Sequence, residues 1–295
     1  MRTTVIGLGL IGGSMAIDLR KAGMATALTG VEQNKRNAER AVEIGLVDET
    51  RSLEEAVRQA DLIITAIPVN AIRSVLLKVL DLIDDNTIVI DTGSTKSQIC
   101  KAIEKHPRRS QFVAAHPIAG TENSGPDAAF SGLFKNKTNI ICEPDKSSAK
   151  ARDVAQQIFD ALEMRTIFMD PIEHDKHVAY VSHLSHVSAF LLGQTVLDIE
   201  QDEKNIFNLA GSGFASTVRL AKSSPDMWAP IFEQNAEYLS QALLEYIMHL
   251  QRFQYHLMKR DVNELHKIMA RANQIRKTLE GIELKQQKPA TITEK

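Results

Sequence analysis

Gly7-Leu8-Gly9-Leu10-Ile11-Gly12 follows directly on the short apolar run that ends at Ile6. An amphipathic stretch over 15–22 comes next, and Gly23 is suited to end it as a helix. Strand, glycine turn and helix therefore stand in order, with the G-x-G-x-x-G spacing of dinucleotide-binding folds. There the glycines allow a tight turn, close approach of a pyrophosphate, and close packing of helix on strand. The stretch predicts a dinucleotide site; the alternative is a purely structural turn.

The composition is that of a globular protein large enough for two domains. The chain has 295 residues, 43% of them hydrophobic, a formal net charge of -2 and a mean hydropathy of -0.17. This near-neutral balance lacks the basic excess of proteins that bind nucleic acid or anionic membranes, so we expect neither partner. We also expect no signal peptide or membrane span, and Cys100 and Cys142 form no metal or redox motif. A cytoplasmic enzyme is the natural expectation.

The first 170 residues read as alternating strands and helices. Strands are predicted at about 3–6, 27–31, 61–68, 87–91, 112–115, 139–142 and 166–169, and helices at 15–23, 37–45, 53–59, 69–82 and 147–162. This alternation predicts an α/β fold, a Rossmann-type doubly wound parallel sheet, for an NAD-binding domain over residues 1–170.

Glu32 follows the second predicted strand, 20 positions after Gly12. Dinucleotide-binding units place there the acid that hydrogen-bonds the adenosine ribose hydroxyls. Its charge would repel a 2′-phosphate, so we predict NAD rather than NADP as the cofactor. Lys35 and Arg36 follow closely and leave NADP open, and a solvated acid at a helix start is the structural alternative for Glu32.

Residues just beyond the carboxyl ends of the strands are expected to face the ligands. The uncharged turn at Ile67 and Pro68 is expected to line the nicotinamide or its ribose. The turn Asp91-Thr92-Gly93-Ser94-Thr95-Lys96 carries hydroxyls and a cation suited to orienting a polar substrate group. Capping of the next helix by Ser94 or Thr95 is an equal alternative.

His116-Pro117-Ile118-Ala119-Gly120 opens directly from the end of another predicted strand. Histidine titrates near neutrality and is the usual general base for a hydroxyl. We therefore predict that His116 is catalytic, a structural histidine being the alternative.

From Pro171 onward the pattern is helical. Helices are predicted at 177–197, 201–208, 228–259 and 261–281, which gives a helical substrate and dimerisation domain over 171–282 and a disordered tail over 283–295. The longest helix carries an apolar stripe of Leu239, Leu243, Ile247 and Leu250. A second copy of the chain would bury such a face, so we expect a homodimer through these helices.

Two clusters in the helical half carry polar chemistry. His183 and His186 lie three residues apart on a helix and can face the same side. A metal is one interpretation of these histidines together with His174 and His177, but no ligand trio with a defined acid is evident. We favour polar lining of a substrate pocket and predict no metal.

The second cluster is the loop Gly211-Ser212-Gly213-Phe214-Ala215-Ser216-Thr217-Val218-Arg219. It delivers an arginine suited to bidentate recognition of a carboxylate. A surface ion pair with a helix acid such as Asp226 is the alternative.

The chain resembles the prephenate/arogenate dehydrogenase family of tyrosine biosynthesis over nearly its whole length. The motifs that carry the resemblance, in the family's order, are Gly7–Ser14, Asp91–Lys96, His116–Gly120, His174-Asp175-Lys176, His183–His186 and Gly211–Arg219. The resemblance implies a nucleotide-binding domain, a helical dimerisation domain and an active site between them.

The resemblance also implies roles for individual residues. His116 would be the catalytic base at the substrate's 4-hydroxyl, and Ser94 would orient that hydroxyl and His116. Arg219 would bind a prephenate carboxylate, with His186 supporting the pocket. Trp228 matches a family position near the site that can reach across the dimer.

Two departures from the family pattern stand out. Many members have basic and acidic residues at Ala215-Ser216; an acid there would pair with Arg219, and Ser216 cannot. Ser185 replaces the usual proline of the second histidine motif, which we expect to loosen its turn.

The implied reaction is NAD-dependent oxidative decarboxylation of prephenate. The alternatives are arogenate as substrate, another NAD-linked hydroxy-acid dehydrogenase with a lysine base, and a non-catalytic NAD-binding dimer.

Overall fold

The first half of the chain forms one eight-stranded sheet, seen in a computed structural model that describes residues 1–202 and 205–287. The spatial order of the strands is β3-β2-β1-β4-β5-β6-β7-β8. These strands are β1 Arg2–Ile6, β2 Ala27–Val31, β3 Glu49–Thr50, β4 Leu62–Thr65, β5 Ile88–Asp91, β6 Phe112–Pro117, β7 Thr138–Cys142 and β8 Arg165–Met169. The predicted doubly wound sheet is confirmed. The two-residue β3 was not predicted, because it is too short to show a periodicity.

One pair of strands departs from the predicted parallel order. β7 runs antiparallel to β6, with His116 opposite Ile140, whereas the other pairs of described strands are parallel. A parallel return needs a crossover connection, usually a helix. The chain between these strands contains only a short 3-10 turn at Pro126–Ala128, so β7 comes back along its neighbour in the opposite direction.

Helices cover both faces of the sheet. They are α1 Leu10–Lys21, α2 Lys35–Glu43, α3 Leu53–Arg58, α4 Val69–Leu82, α5 Ser97–Ile103 and α6 Ala149–Ala161. Helix α4 has the predicted bounds, but α1 begins inside the glycine motif rather than at Met15. One face packs Ile72 and Leu76 of α4 in a core with Val89, and the other packs Phe159 of α6 with Ile90. Each such side chain contributes about 1.5–3 kcal/mol when fully buried.

The second half is helical, as predicted, with different boundaries. Its α-helices are α7 Pro171–Val178, α8 Leu184–Asp202, α9 Ser212–Val218, α10 Pro225–Gln234, α11 Ala236–Met258, α12 Val262–Ala272 and α13 Arg276–Gln287. Helix α7 begins six residues before the predicted start, because Asp170 accepts hydrogen bonds from the first N–H groups. A π-helical turn, Ala179–His183, joins α7 to α8.

Four further predictions in this half need correction. The single helix predicted over 228–259 is two helices, broken at Asn235, and the one over 261–281 is interrupted by a 3-10 turn at Asn273–Ile275. Of the segment predicted over 201–208, residues 201–202 end α8, residues 203–204 lie outside the described ranges, and a 3-10 turn forms at Ile206–Leu209. Predicted disorder from residue 283 is wrong as far as Gln287, where α13 ends; residues 288–295 lie outside the described ranges.

Helix α11 has one face packed inside its own chain and another that is open. Leu239 is buried, whereas Leu244, Ile247, Met248 and Leu250 are exposed. Only part of the predicted stripe therefore faces away from the chain. Over the described residues, no helix is long and apolar enough to cross a membrane.

Candidate active site

The glycine turn between β1 and α1 has the geometry of a pyrophosphate cradle. Gly7 has a φ of +94°, and a Cβ there would lie 2.3 Å from the carbonyl oxygen of Ala66. A Cβ on Gly12 would lie 2.0 Å from the carbonyl oxygen of Gly7, whereas one on Gly9 would meet nothing within 4 Å. Gly9 also caps α1 without a side-chain hydrogen bond. The N–H groups that open α1 at Leu10 and Ile11 are thus available to an anion.

Glu32 is built into this turn. Its carboxylate accepts hydrogen bonds from the backbone N–H of Leu8 at 3.2 Å and of Asn34 at 3.0 Å. Because Asn34 caps α2, Glu32 is not the solvated helix-start acid that was the alternative interpretation. A carboxylate has about four lone-pair positions, so Glu32 can still accept ribose hydroxyls. The alternative NADP ligands, Lys35 and Arg36, are both exposed.

Ile67 and Pro68 lie at the end of β4, next to the glycine turn. Ile67 Cγ2 is 2.8 Å from the position that a Cβ on Gly7 would occupy. Pro68 is exposed and caps α4. This uncharged edge is compatible with the predicted contact to the nicotinamide end of the cofactor. The residues present therefore fit NAD.

His116 lies in β6 at the same edge of the sheet, because β6 extends to Pro117. Its Nδ1 is 2.8 Å from Nε2 of His174, and Nδ1 of His174 is 2.7 Å from Oδ1 of Asp175. The two carboxylate oxygens of Asp175 also accept hydrogen bonds from the backbone N–H groups of Lys96 and Ser97, both at 2.8 Å. The imidazole of His116 therefore has one nitrogen engaged inside the protein, which leaves Nε2 for a ligand.

Burial sets the protonation of both histidines. It lowers the pKa of His116 well below its ordinary value, and the nearby His174 and Lys96 add to the effect. Burial also lowers the pKa of His174, against the opposing hydrogen bond to Asp175. Both rings are therefore neutral at neutral pH, as a general base requires.

The turn before α5 differs from its predicted role. Neither Ser94 nor Thr95 caps the helix; Asp175 accepts its first N–H groups instead, and Thr95 Oγ1 donates to Gln234 at 2.8 Å. Lys96 is fully buried, with Nζ bonded to Asp91 and to the carbonyl oxygen of Ala115, so it does not face a substrate. Ser94 is half-buried and has no hydrogen-bond partner in the described part of the chain. Its role in orienting the hydroxyl and His116 stays a prediction.

An aromatic cluster forms one wall near His116. The ring of His186 stacks on Trp228 with centroids 3.5 Å apart, and His183 meets the same indole edge-on at 5.9 Å. The two histidines thus face the same side of their helix. Trp228 is 7% exposed and packs against Phe232 as well as the two histidines. Ser185 lies exposed on the continuous helix α8, so it loosens no turn.

Asn235 is a polar residue of this cluster that the sequence did not reveal. Its amide donates to Nδ1 of His183 at 3.1 Å and to the backbone oxygen of Asp175 at 2.7 Å. Burial lowers the pKa of His183 to about 4. His177, in contrast, is exposed and lies 4.0 Å from Glu173, away from the cluster. Among the described residues, no group of three His, Cys, Asp or Glu side chains is placed to hold a metal ion.

Arg219 lies at the start of the 3-10 turn Arg219–Lys222. It is 56% exposed, and its Nη1 lies 3.7 Å from Oε2 of Glu122. The alternative pairing with Asp226 is therefore wrong. Glu122 supplies the acid that Ser216 cannot, and its only signal in the sequence is its place shortly after the His116 motif. Burial lowers the pKa of His186, and the positive charge of Arg219 contributes to that shift.

Comparisons with known proteins agree with this geometry. Residues 15–168 match the family model described as prephenate dehydrogenase, nucleotide-binding domain, and residues 170–271 match prephenate dehydrogenase, dimerization domain. The chain is 30% identical to the cyclohexadienyl dehydrogenase of Zymomonas mobilis over 87% of this chain and 88% of that protein. It is 29% identical to the prephenate dehydrogenase of Bacillus subtilis over 97% of this chain and 78% of that one.

Solved structures give the same result. Prephenate dehydrogenase from Aquifex aeolicus, in complex with hydroxyphenyl propionate and NAD+, superposes with a TM-score of 0.86 at 28% identity, covering 95% of this chain and 98% of that one. Arogenate dehydrogenase from Synechocystis superposes with a TM-score of 0.74 at 29% identity, covering 95% and 100%. By sequence and by structure, the chain belongs to the prephenate dehydrogenase family.

Proposed function

We propose that this chain catalyses the NAD-dependent oxidative decarboxylation of prephenate to 4-hydroxyphenylpyruvate, in tyrosine biosynthesis. The observation that carries the proposal is the position of His116. It is a neutral, half-buried imidazole with Nδ1 engaged by His174, at the sheet edge that also holds the glycine turn. Arg219, on the helical half, pairs with Glu122 of the segment that follows the His116 motif.

The chemistry needs a base, a hydride acceptor and a clamp for a dianion. Prephenate carries a hydroxyl on ring carbon C4, a carboxylate on C1 and a pyruvyl side chain. NAD, held by Gly7, Gly9 and Gly12 of the turn and by Glu32, supplies the acceptor for the hydride that leaves C4. His116 Nε2 takes the hydroxyl proton as the C4–O bond gains double-bond character. Breaking the C1–carboxylate bond then releases CO2, its electron pair completes the aromatic ring, and the C4 oxygen takes the proton back from His116 to give the phenol.

The remaining side chains position the substrate. Arg219 binds a prephenate carboxylate with charge-assisted hydrogen bonds. Ser94 orients the C4 hydroxyl. His183, His186 and Trp228 form the wall of the substrate pocket, and holding the substrate in a reactive orientation is itself a large part of catalysis.

Arogenate, which carries an amine in place of the keto group of prephenate, is the second candidate substrate. It is favoured by the similarity to the cyclohexadienyl dehydrogenase and the arogenate dehydrogenase. A hydroxy-acid dehydrogenase with a lysine base is disfavoured, because Lys96 at the sheet edge is buried and bonded to Asp91.

We further infer that the enzyme acts as a cytoplasmic homodimer. The exposed apolar face of α11 lies within the residues that match the dimerization domain. The buried thiols of Cys100 and Cys142 are both free, which fits a reducing compartment. We take residues 1–170 as the NAD-binding domain and 171–282 as the helical domain.

The test is NADH or NADPH formation from prephenate, arogenate and a simple β-hydroxy acid, each with NAD and with NADP. We expect turnover of prephenate with NAD. His116→Asn should lower kcat by at least about a hundredfold with little change in NAD affinity, because a positioned base contributes about 10²–10⁴-fold. His106→Asn, at a half-buried histidine paired with Asp81, is the matched control. Turnover of the hydroxy acid alone, or near-normal activity of His116→Asn, would contradict the proposal.

A further inference from the structure

His116, His174 and Asp175 form a hydrogen-bonded row of three ionisable groups. His174 is fully buried and Asp175 is 2% exposed. Both come from α7 of the helical half, whereas His116 comes from the sheet. His174 touches His116 at 2.8 Å, and Asp175 touches His174 at 2.7 Å. This row of three side chains therefore crosses the junction between the two halves of the molecule.

The direction of these hydrogen bonds fixes where the protons are. An ionised carboxylate only accepts, so Nδ1 of His174 carries a hydrogen that it donates to Asp175. Because His174 is neutral, its Nε2 has a lone pair and accepts the hydrogen on Nδ1 of His116. Nε2 of His116 is then left without a hydrogen, with its lone pair directed to the substrate side. This is the tautomer that a base acting through Nε2 requires.

Asp175 is held ionised by its surroundings. Burial alone would raise the pKa of Asp175, but hydrogen bonds from His174, Ser97 and Lys96 together lower it. Asn235 fixes the same residue through its backbone oxygen at 2.7 Å. A rigid buried anion is thus linked through a single imidazole to the proposed base.

We propose that His174 and Asp175 are positioning residues that hold His116 in the tautomer with Nε2 free. They also share the positive charge that His116 gains from the substrate hydroxyl. The inference rests on the proposed function in one respect, that His116 is the base. When His116 accepts the hydroxyl proton on Nε2, its Nδ1 hydrogen moves toward His174, and the charge is balanced by Asp175.

Two variants separate this role from helix capping. In Asp175→Asn, the amide oxygen can still accept from Nδ1 of His174 and from the N–H of Lys96, but the charge that balances a positive His116 is gone. We expect kcat to fall by at least about tenfold, with the KM for prephenate changed less than about threefold. His174→Leu leaves Asp175 on the N–H groups of α5 and removes only the acceptor for His116. We expect its kcat to fall at least about tenfold.

The second acid–histidine pair of α7 provides matched controls. Glu173 and His177 lie on the same helix and are both exposed, so Glu173→Gln and His177→Leu should leave kcat unchanged. The direct readout is the nitrogen NMR spectrum of histidine-labelled protein. We expect His116 to be protonated on Nδ1 in the native enzyme and in Asp175→Asn, and to lose this preference in His174→Leu, where Nδ1 has no acceptor. NAD affinity and the thermal midpoint are measured alongside.

The outcomes distinguish the two proposals. Should His116→Asn be inactive while Asp175→Asn and His174→Leu both keep native kcat, the positioning role is wrong and the base assignment stands. An Nε2-protonated His116 in the native enzyme would also overturn the positioning role. If the native protein oxidises neither prephenate nor arogenate, the proposed function fails. The tautomer measurement still tests whether His174 and Asp175 position His116.

Discussion

Arg219 and Glu122 form an ion pair that joins the helical half to the loop after His116, with 3.7 Å between Nη1 and Oε2. If Arg219 binds the substrate, the incoming carboxylate must replace Glu122 as its partner. Both side chains are partly open to solvent, at 56% and 31%. Such pairs contribute about 0.2–1 kcal/mol, so Glu122 competes only weakly with a substrate carboxylate for Arg219.

Removing the competing acid should strengthen substrate binding. We expect Glu122→Gln to lower the KM for prephenate by up to about fivefold, which is the equivalent of 1 kcal/mol, with kcat little changed. Asp127→Asn is the control, because Asp127 lies on the same loop but pairs with Arg40. Steady-state kinetics at low ionic strength make the measurement. A KM that rises in Glu122→Gln would mean that Glu122 helps to bind the substrate rather than competing for its partner.

Truncating Arg219 should weaken the binding of prephenate and leave the binding of NAD unchanged. Hydrogen bonds to charged groups contribute about 1.5–3 kcal/mol, so Arg219→Ala should raise the KM for prephenate by about 10–100-fold. Arg219→Lys keeps the charge but loses the planar fork, so its KM should lie between those of the native enzyme and Arg219→Ala. NAD affinity, measured by fluorescence titration, serves as the internal control. An unchanged KM in Arg219→Ala would refute the clamp.

Two glycines of the turn should respond differently to the same methyl group. In Gly12→Ala the added Cβ would lie 2.0 Å from the backbone oxygen of Gly7, so we expect loss of thermal stability together with loss of NAD binding. In Gly9→Ala nothing stands within 4 Å, so the protein should fold normally while the methyl group occupies the space that the pyrophosphate needs. Thermal melting and NAD titration of both variants make the comparison. Native NAD affinity in Gly9→Ala would place the cofactor elsewhere.

The buried histidines should make the fold sensitive to acid. The pKa of His183 is about 4 in the folded chain against an ordinary 6.5, mainly through burial. As the pH falls below 6.5 the unfolded chain takes up the proton first, so stability is full above that pH and is lost between 6.5 and about 4. The loss from His183 alone is about 3 kcal/mol, and His116 and His174 act in the same direction.

His183→Gln tests this assignment. Glutamine keeps an acceptor oxygen for Asn235 but does not titrate, so the unfolding free energy of the variant should fall less steeply between pH 6.5 and 4 than that of the native chain. Urea unfolding at several pH values gives the slopes. Equal slopes for the two proteins would show that His183 is not the titrating group.

The sequence was informative where structure is local. Helix α4 follows Pro68 with an uninterrupted apolar period, and its predicted bounds are confirmed. The long helix predicted from Trp228 failed because its period continues unbroken past Asn235. The break there coincides with hydrogen bonds from Asn235 to His183 and Asp175, which no local pattern encodes.

The candidate site shows the same limit. His116 and His174 were each visible as motif residues, yet they are 58 positions apart, and only the packing of α7 on the sheet brings their rings together. Capping of α5 by Ser94 or Thr95 was one of two equal interpretations, because caps are usually sought nearby. The acceptor is Asp175, 78 residues from Ser97. Sequence reasoning therefore named most of the chemistry but not the contacts between distant segments.

The antiparallel return of β7 has a consequence for how such a site can be varied. Residues 118–137 leave β6 and enter β7 at the same edge of the sheet, since Pro117 pairs with Asn139. The segment is fastened to α1, where Ser14 Oγ accepts the N–H of Phe130 at 3.1 Å. Because Phe134 is buried in the core and Gly132 is bonded to Asp18, the part of the loop that can change in length is the stretch over 118–125. It offers a place to exchange specificity among dehydrogenases while the hydride-transfer machinery stays where it is.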